Sequence, residues 1–448
     1  MSNDGNAAAT RRKALAAGFI GNIVEWYDFA LYGYLATTLA HVFFPKSDTT
    51  AALLSTFGIF ALSLLIRPVG AVVLGNLGDR IGRRPSLILA VSLMSGSTIA
   101  LGLLPTSAQI GDVAVVLLIL LRLVQGFSAG GEYSGSAVFV IEHASPSRRG
   151  RYASFVFVSC AAGTMCGIVA ALITTTATTP EQLVSWGWRV PFLAAAPLAL
   201  IGLYLRLRVD ESPEFAALRN AGQVESSPVR QALKVAKKPM LILIGWAMAN
   251  AVAAYLFSGF LVSHLEVTGN FSNTQALVVQ LVAYLVVIAG SLVAGRVIDR
   301  IGRKRVAVAA AIGLGAWSIP TFMLIADSSL LGACLIAGLF AVLWSAVGTS
   351  TALALVELFP ARVRSSAGGL AYNIAYALFG GTAPFVATWF VGRGLPVAPG
   401  YYLSALCVVA AIAAALGIGN RARSKRDDNV DDERGREIVD HETAQFTP

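Results

Sequence analysis

The chain predicts an all-α membrane protein: twelve transmembrane helices in two pseudo-symmetric six-helix halves. Three observations predict it. First, 56% of its 448 residues are hydrophobic and only 13% are charged, about half the charged fraction of a soluble globular domain. Second, the apolar residues fall in long runs. Crossing ~30 Å of hydrocarbon takes about 20 residues in a helix. Twelve such runs can be drawn, near 14–40, 51–74, 86–104, 113–140, 152–175, 189–207, 239–263, 275–295, 306–325, 330–355, 366–391 and 401–419. Third, GNLGDRIGRRP at 75–85 returns as GRVIDRIGRKR at 295–305, keeping Gly75/Gly295, Asp79/Asp299, Arg80/Arg300, Gly82/Gly302 and Arg83/Arg303. The spacing E-x6-R also recurs, in Glu142 with Arg149 and in Glu357 with Arg364. Two ordered matches at nearly constant offset imply a duplicated chain whose halves rock against each other.

The elements follow in order. Residues 1–13 are a polar N-terminus ending in Arg11, Arg12 and Lys13; there is no cleavable signal peptide, so helix 1 is an uncleaved insertion signal. Residues 14–207 form the first six-helix bundle. Residues 208–238 are a charged linker with Pro213 and Pro228, in which DESPEFAALRNAG reads as a short amphipathic helix lying on the membrane surface. Residues 239–419 form the second bundle. Residues 420–448, charged and poor in apolar side chains, read as a disordered tail.

Formal net charge is +9. Placing the N-terminus inside puts 29 of the 34 cations in the even-numbered connections and the two tails. This positive-inside asymmetry orients both termini to the cytoplasm and accounts for the basic balance without nucleic acid. Cys160, Cys166, Cys334 and Cys407 all fall inside helices without metal-like spacing, and the four histidines are scattered. They predict apolar packing and no metal site.

Ionisable groups at bilayer depth cost about 2.5–3.5 kcal/mol each on insertion scales, so each needs a reason. Glu25 and Asp28 lie near the middle of helix 1 and share a face with Asn22 and Tyr32. Arg122 lies near mid-depth of helix 4, with Glu132 and Tyr133 further along. Arg67, nearer the inner end of helix 2, is placed to snorkel to the inner surface. The second half has no charge in mid-span and offers Trp246, Asn250, Tyr255, Trp344, Asn373 and Tyr376 instead. Burial favours the neutral form of a carboxylic acid, which suits a proton carrier. The expected assignment is therefore Glu25, Asp28 and Glu132 for proton handling, with Arg122 for a substrate carboxylate. Asn22, Tyr32, Tyr133, Tyr255, Asn373 and Tyr376 supply further contacts, and the aromatic ones suit a quaternary ammonium by cation–π attraction.

The repeated loops read as a gate. Asp79 and Asp299 can accept from a helix N-terminus of the opposite half. Arg80, Arg83, Arg149, Arg300 and Arg364 can pair with Glu142 or sit at lipid phosphates, Glu357 repeats the Glu142 position in the second half, and Gly75 and Gly82 allow tight turns and close packing.

These residues resemble a known group over essentially the whole chain. GNLGDRIGRRP is similar to the signature loop of the major facilitator superfamily. GNIVEWYDFALYGYLA (21–36), IRPVG (66–70), RLVQGFSAGGEYSGSA (122–137), WGWRVPF (186–192) and DESPEF (210–215) resemble its metabolite:proton symporters. Members carry proline and glycine betaine, α-ketoglutarate, citrate or shikimate with protons into bacteria. GGEYSGSAVFVIE and PLALIGLYLRLRVDESPEF look most like the proline/betaine branch, although the extended C-terminal coiled coil of some osmosensing members is missing. The resemblance implies the major facilitator fold and location in a bacterial inner membrane.

The expected function is secondary active transport by alternating access: proton-coupled uptake of a small organic acid or zwitterionic osmolyte. The chain lacks the G-x-x-x-x-G-K-[ST] phosphate loop, and an enzyme would want clustered His or Asp near one interface. The expected partners are the substrate, the proton and the lipid bilayer, with no cofactor and a monomeric state. The alternatives are a proton-coupled exporter or a non-transporting membrane sensor.

Overall fold

A computed structural model describes residues 2–45, 49–225 and 228–419; the tail read as disordered, 420–448, lies outside the described residues. Among the described residues the chain is helical, with no strand. The first half comprises α1 (Ser2–Tyr34), α2 (Thr49–Leu65), α3 (Arg67–Arg80), α4 (Arg83–Gly102), α5 (Val113–Glu142), α6 (Arg149–Ala177) and α7 (Ala195–Leu207). Two linker helices follow, α8 (Pro213–Asn220) and α9 (Pro228–Val235). The second half comprises α10 (Lys237–Tyr255), α11 (Asn273–Ile301), α12 (Arg303–Leu324), α13 (Leu330–Glu357), α14 (Arg364–Ala375) and α15 (Ala398–Gly417). Helices α2 and α3 form one span, bent at Ile66, and α10 and α14 continue beyond their ends through π turns. Among the described residues eleven helices are long and apolar enough to cross a membrane. With α1 they make the twelve-helix, two-half architecture that the repeat implies.

The π turns occupy Leu256–Phe260 and Tyr376–Gly380, immediately after Tyr255 and at Tyr376. A π turn adds a residue to the helical ladder and re-aims the side chains around it. Here it does so on the two helices of the second half that face the buried charges of the first.

Two glycine contacts decide the packing that positions the site. A Cβ on Gly70 of α3 would overlap the Phe127 carbonyl of α5, and one on Gly130 of α5 would overlap the Arg67 carbonyl. Only glycine permits this backbone-to-backbone approach, which seats Arg67 inside the bundle. Between the halves, Gly150 of α6 and Gly295 of α11 form a reciprocal pair. A Cβ on either would lie 2.7 Å from the other's carbonyl oxygen. The end of the bundle bearing Gly150 and Gly295 also carries the repeated loops and is called the basic end below.

Candidate functional site

The first half holds three buried ion pairs at successive depths. Farthest from the basic end, Arg122 Nη1 donates to Asp28 Oδ2 at 3.0 Å and to Gln125 Oε1 at 2.8 Å, while Nη2 donates to Ser63 Oγ at 3.2 Å. Asp28 Oδ1 accepts from Thr98 and Gln125, both at 2.8 Å. The guanidinium carbon lies 4.1 Å from the Tyr32 ring centroid and 5.2 Å from that of Phe29. Tyr32 donates to the Thr56 carbonyl. Most of the donors and acceptors of this network are therefore satisfied within one half.

One turn nearer the basic end, Arg67 Nη2 donates to Glu25 Oε1 at 2.5 Å, and the two residues are 2% and 1% exposed. This corrects the expected snorkelling of Arg67: the Gly70/Gly130 approach holds it at mid-depth, where only Glu25 neutralises it. The pair is incompletely satisfied, because Glu25 Oε2 and Arg67 Nε have no hydrogen-bond partner. Arg67 is also within electrostatic reach of Tyr255, Tyr372 and Tyr376 of the second half.

Nearest the basic end, Glu132 pairs with Arg206 of α7, which also donates to the Leu87 carbonyl at 2.6 Å. Arg206, near the end of the sixth apolar run, is 3% exposed and belongs to the buried network. Breaking such a pair from one side costs about 3–5 kcal/mol, so each anchors the bundle as well as carrying charge.

The second half presents a tyrosine wall to the Arg67–Glu25 pair. Tyr133 of α5 stacks on Tyr372 at 4.7 Å between centroids, and Tyr372 contacts Tyr376 at 4.2 Å. Tyr255 meets Tyr376 edge-on at 6.3 Å. Asn250 donates to the Tyr376 hydroxyl at 2.8 Å and accepts from Trp344 at 2.9 Å. Asn373 donates to the Gly130 carbonyl across the seam at 2.7 Å. Asn22 donates to Ser159 at 2.9 Å. Tyr133 OH, Asn22 Oδ1 and Asn373 Oδ1 have no partner. Buried polar atoms are nearly always paired, so these three are exceptions among the described residues.

At the basic end the two halves are tied by reciprocal bonds. Asp79 accepts from the Ser365 and Ser366 amides at the start of α14, at 3.2 and 2.7 Å. Asp299 accepts from the Gly150 and Arg151 amides at the start of α6, at 2.8 and 3.1 Å. Each carboxylate thus meets the positive end of a helix dipole of the opposite half. The E-x6-R pairs exchange partners between halves: Arg364 donates to Glu142 at 2.9 Å, and Arg149 lies 3.9 Å from Glu357. Arg83 bridges Asp79 at 2.5 Å and the Ala361 carbonyl at 2.7 Å, while Arg303 bridges Glu357 at 2.6 Å and the Pro146 carbonyl at 3.1 Å. Gly82 and Gly302 turn the chain into α4 and α12 at φ 134° and 106°. Arg80 and Arg300 do not join them; both are exposed.

The linker, expected to lie on the membrane surface, docks on this network instead. Phe215 of α8 is buried, with the Arg83 guanidinium 5.3 Å from its ring centroid. Glu214 takes Arg149 at 2.6 Å and also pairs with Arg364, so one carboxylate joins both halves. Burial would raise the Glu214 carboxyl, but Arg364 and Arg149 outweigh it and hold it below the usual carboxylate range. Glu211 accepts from the Arg83 amide at 3.0 Å and caps α4. Helical spacing does not reveal these roles, because the linker lies far from its partners in sequence. The signal available was four acids in DESPE and its neighbour Glu225, set among arginines that already lacked enough carboxylates.

Away from the basic end the halves also touch: Tyr34 donates to Gln280 at 3.0 Å. Among the described residues no group of His, Cys, Asp and Glu is arranged to hold a metal.

Twelve helices in two equivalent halves, latched at one end and enclosing charge at mid-depth, define a secondary transporter of the alternating-access kind. The chain matches the Major Facilitator Superfamily over residues 18–384 and belongs to that family. The glycine betaine/proline/ectoine/pipecolic acid transporter OusA of Dickeya dadantii is 34% identical, covering 89% of this chain and 81% of that protein. The proline/betaine transporter of Salmonella typhimurium is 34% identical, covering 90% and 82%. The ectoine/proline transporter ProP of Corynebacterium glutamicum is 36% identical, covering 90% and 83%. Among solved structures, the proton:xylose symporter XylE bound to 6-bromo-6-deoxy-D-glucose superposes with a TM-score of 0.76 at 19% identity, covering 90% of this chain and 95% of that one. A double-tryptophan mutant of XylE reaches 0.80 at 17% identity, covering 95% and 99%. At these identities the likeness speaks for the fold.

Proposed function

We propose that this protein imports a small zwitterion of the proline or betaine type together with a proton, with the basic end facing the cytoplasm. The observation that carries the reading is the incompletely satisfied Arg67–Glu25 pair facing the tyrosines of the other half. A substrate carboxylate entering from outside competes with Glu25 for Arg67, and Glu25, released in a low-dielectric site, takes up a proton. The substrate's cationic nitrogen then lies against the Tyr133, Tyr372 and Tyr376 faces, an arrangement suited to cation–π attraction. The substrate role expected of Arg122 passes to Arg67, because Asp28, Gln125 and Ser63 already occupy the Arg122 guanidinium. The names of the relatives, all transporters of such zwitterions, point the same way.

In this reading Asp79, Asp299, Glu142, Glu357, Arg83, Arg149 and Arg364 latch the cytoplasmic side during loading and part to release the cargo. The positive-inside distribution supports both termini being cytoplasmic. The protein works as a monomeric carrier without cofactor or enzymatic chemistry. The test is uptake into proteoliposomes under an imposed inward proton gradient, using labelled proline, glycine betaine, citrate and α-ketoglutarate. Gradient-driven accumulation of the zwitterions, lost in Glu25→Gln while counterflow exchange persists, is the expected result. Gradient-driven accumulation surviving unchanged in Glu25→Gln overturns the coupling assignment.

A further inference from the structure

The two halves differ at one corner of the basic end. In the first half, the N-terminus of α4 is capped by Glu211, which accepts from the Arg83 amide at 3.0 Å and the Arg84 amide at 3.3 Å, and Phe215 packs beside it. In the second half, the matching N-terminus of α12 follows Gly302, which offers no capping side chain, just as Gly82 offers none to α4. In place of the Glu211 and Phe215 plug there is a cavity of about 350 Å³, within the range of small-ligand sites. Lys238, Ile242, Arg303, Ser350, Glu357 and Leu416 line it.

The cavity carries unmet valences of both kinds. Ser350 Oγ, on a residue 5% exposed, has no hydrogen-bond partner, and neither does Glu357 Oε1, which lies 3.9 Å from Arg149. Glu357 Oε1, on a carboxylate that already faces Arg303 and Arg149, lacks a hydrogen-bond donor. The uncapped amide end of α12, with the Lys238 ammonium at the rim, calls for an oxyanion. Among the described residues, which end at Gly419 on this side, no acid of the second half is hydrogen-bonded to the α12 amides as Glu211 is to those of α4.

We propose that this corner is a second binding site, for a small zwitterion. Its oxyanion rests on the α12 N-terminus and Lys238, and its ammonium meets Glu357 and Ser350. The site is separate from the central Arg67–Glu25 pair. The lining residues all belong to the second half, but Glu357 holds Arg303, which in turn reaches the Pro146 carbonyl of the first half, so the arrangement of Glu357 that the ligand meets is that of the closed basic end. A ligand that binds only the closed state shifts the population toward it. With the basic end in the cytoplasm, an orientation that rests on the function proposed above, accumulated zwitterion would slow its own import.

The test measures equilibrium binding of labelled proline to the purified protein in phosphatidylglycerol nanodiscs. The expected result is that Lys238→Glu removes one binding equivalent, Lys238→Arg retains it, and Ser350→Val weakens that equivalent at least tenfold. Loss of the same equivalent from the wild type in phosphatidylethanolamine nanodiscs assigns the site to the lipid's zwitterionic headgroup and supports the chemistry. An unchanged stoichiometry in both Lys238→Glu and Ser350→Val overturns the proposal. Because the readout is the Lys238-dependent equivalent, it stands or falls independently of proton-driven uptake and of Glu25→Gln.

Discussion

Asp79→Asn isolates the electrostatic part of the latch. Asparagine keeps the shape and one acceptor oxygen but removes the charge that faces the Ser365 and Ser366 amides at 3.2 and 2.7 Å. A hydrogen bond to a charged group contributes about 1.5–3 kcal/mol against about 0.5–1.5 for a neutral one. The two amides meet different oxygens, so one bond is weakened and the other is lost to the asparagine NH2; with about 0.3–1 kcal/mol of helix-terminus attraction also lost, this takes about 3–5 kcal/mol from the closed basic end. At 1.4 kcal/mol per tenfold, the closed-to-open ratio falls by roughly 100- to 4000-fold. Arg83 is not orphaned, since it keeps the Ala361 carbonyl at 2.7 Å and Glu142 at 3.6 Å.

Asp299→Asn meets nearly the same geometry, with amides at 2.8 and 3.1 Å, and is expected to act equally. The two carboxylates share no partner, so the double variant should show their sum. The assay is a distance distribution between spin labels at Ile81→Cys and Ile301→Cys, both exposed and one on each half, with the exposed Cys166 replaced by serine. Each single variant should add a long-distance population, and the double variant should be mostly open. A closed distribution in the double variant, or a large effect from one aspartate and none from the other, refutes the reciprocal latch.

Three further outcomes follow from the same geometry. Glu132→Gln leaves Arg206 buried without its partner and should cost about 3–5 kcal/mol; adding Arg206→Met should restore most of the loss of thermal stability seen in detergent. Glu214 is held below the usual carboxylate range, so its contribution is present above the ordinary carboxylate pKa and is lost only as pH falls through the lowered value. Its clamp should therefore be constant between about pH 8 and 5, with Glu214→Gln reducing the closed spin-label population severalfold at each pH; a clamp that weakens near neutrality contradicts this. Gly150→Ala places a methyl 2.7 Å from Asp299 Oδ1 and from the Gly295 carbonyl, so it should hold the basic end apart, whereas Gly33→Ala, with open space around it, should leave the distance distribution unchanged.

Much of this molecule is legible in one dimension because a bilayer is a severe solvent. Twelve apolar runs of spanning length and a loop repeated at Asp79 and Asp299 suffice for the twelve-helix, two-half architecture. The chemistry was less legible. Glu25, Asp28 and Arg122 stand out as charges in apolar runs, but nothing local says that Asp28 takes Arg122 while Glu25 takes Arg67. Arg67 and Arg206 each lie near a helix end, where surface exposure and burial look alike in sequence. The linker posed the same problem: DESPEF reads as amphipathic, yet its apolar face and its acids find partners only once both halves converge on them.

By itself, then, the sequence determined the spanning helices, the duplication and the types of residue available for a latch, because burial in lipid and helical period act over a few turns. The tertiary structure decided which carboxylate neutralises which arginine, which acids cross between halves, and that one half is plugged where the other is hollow. Those choices depend on distances of a few ångströms between residues up to 287 positions apart. Coulomb energies in a low-dielectric interior change steeply over such distances.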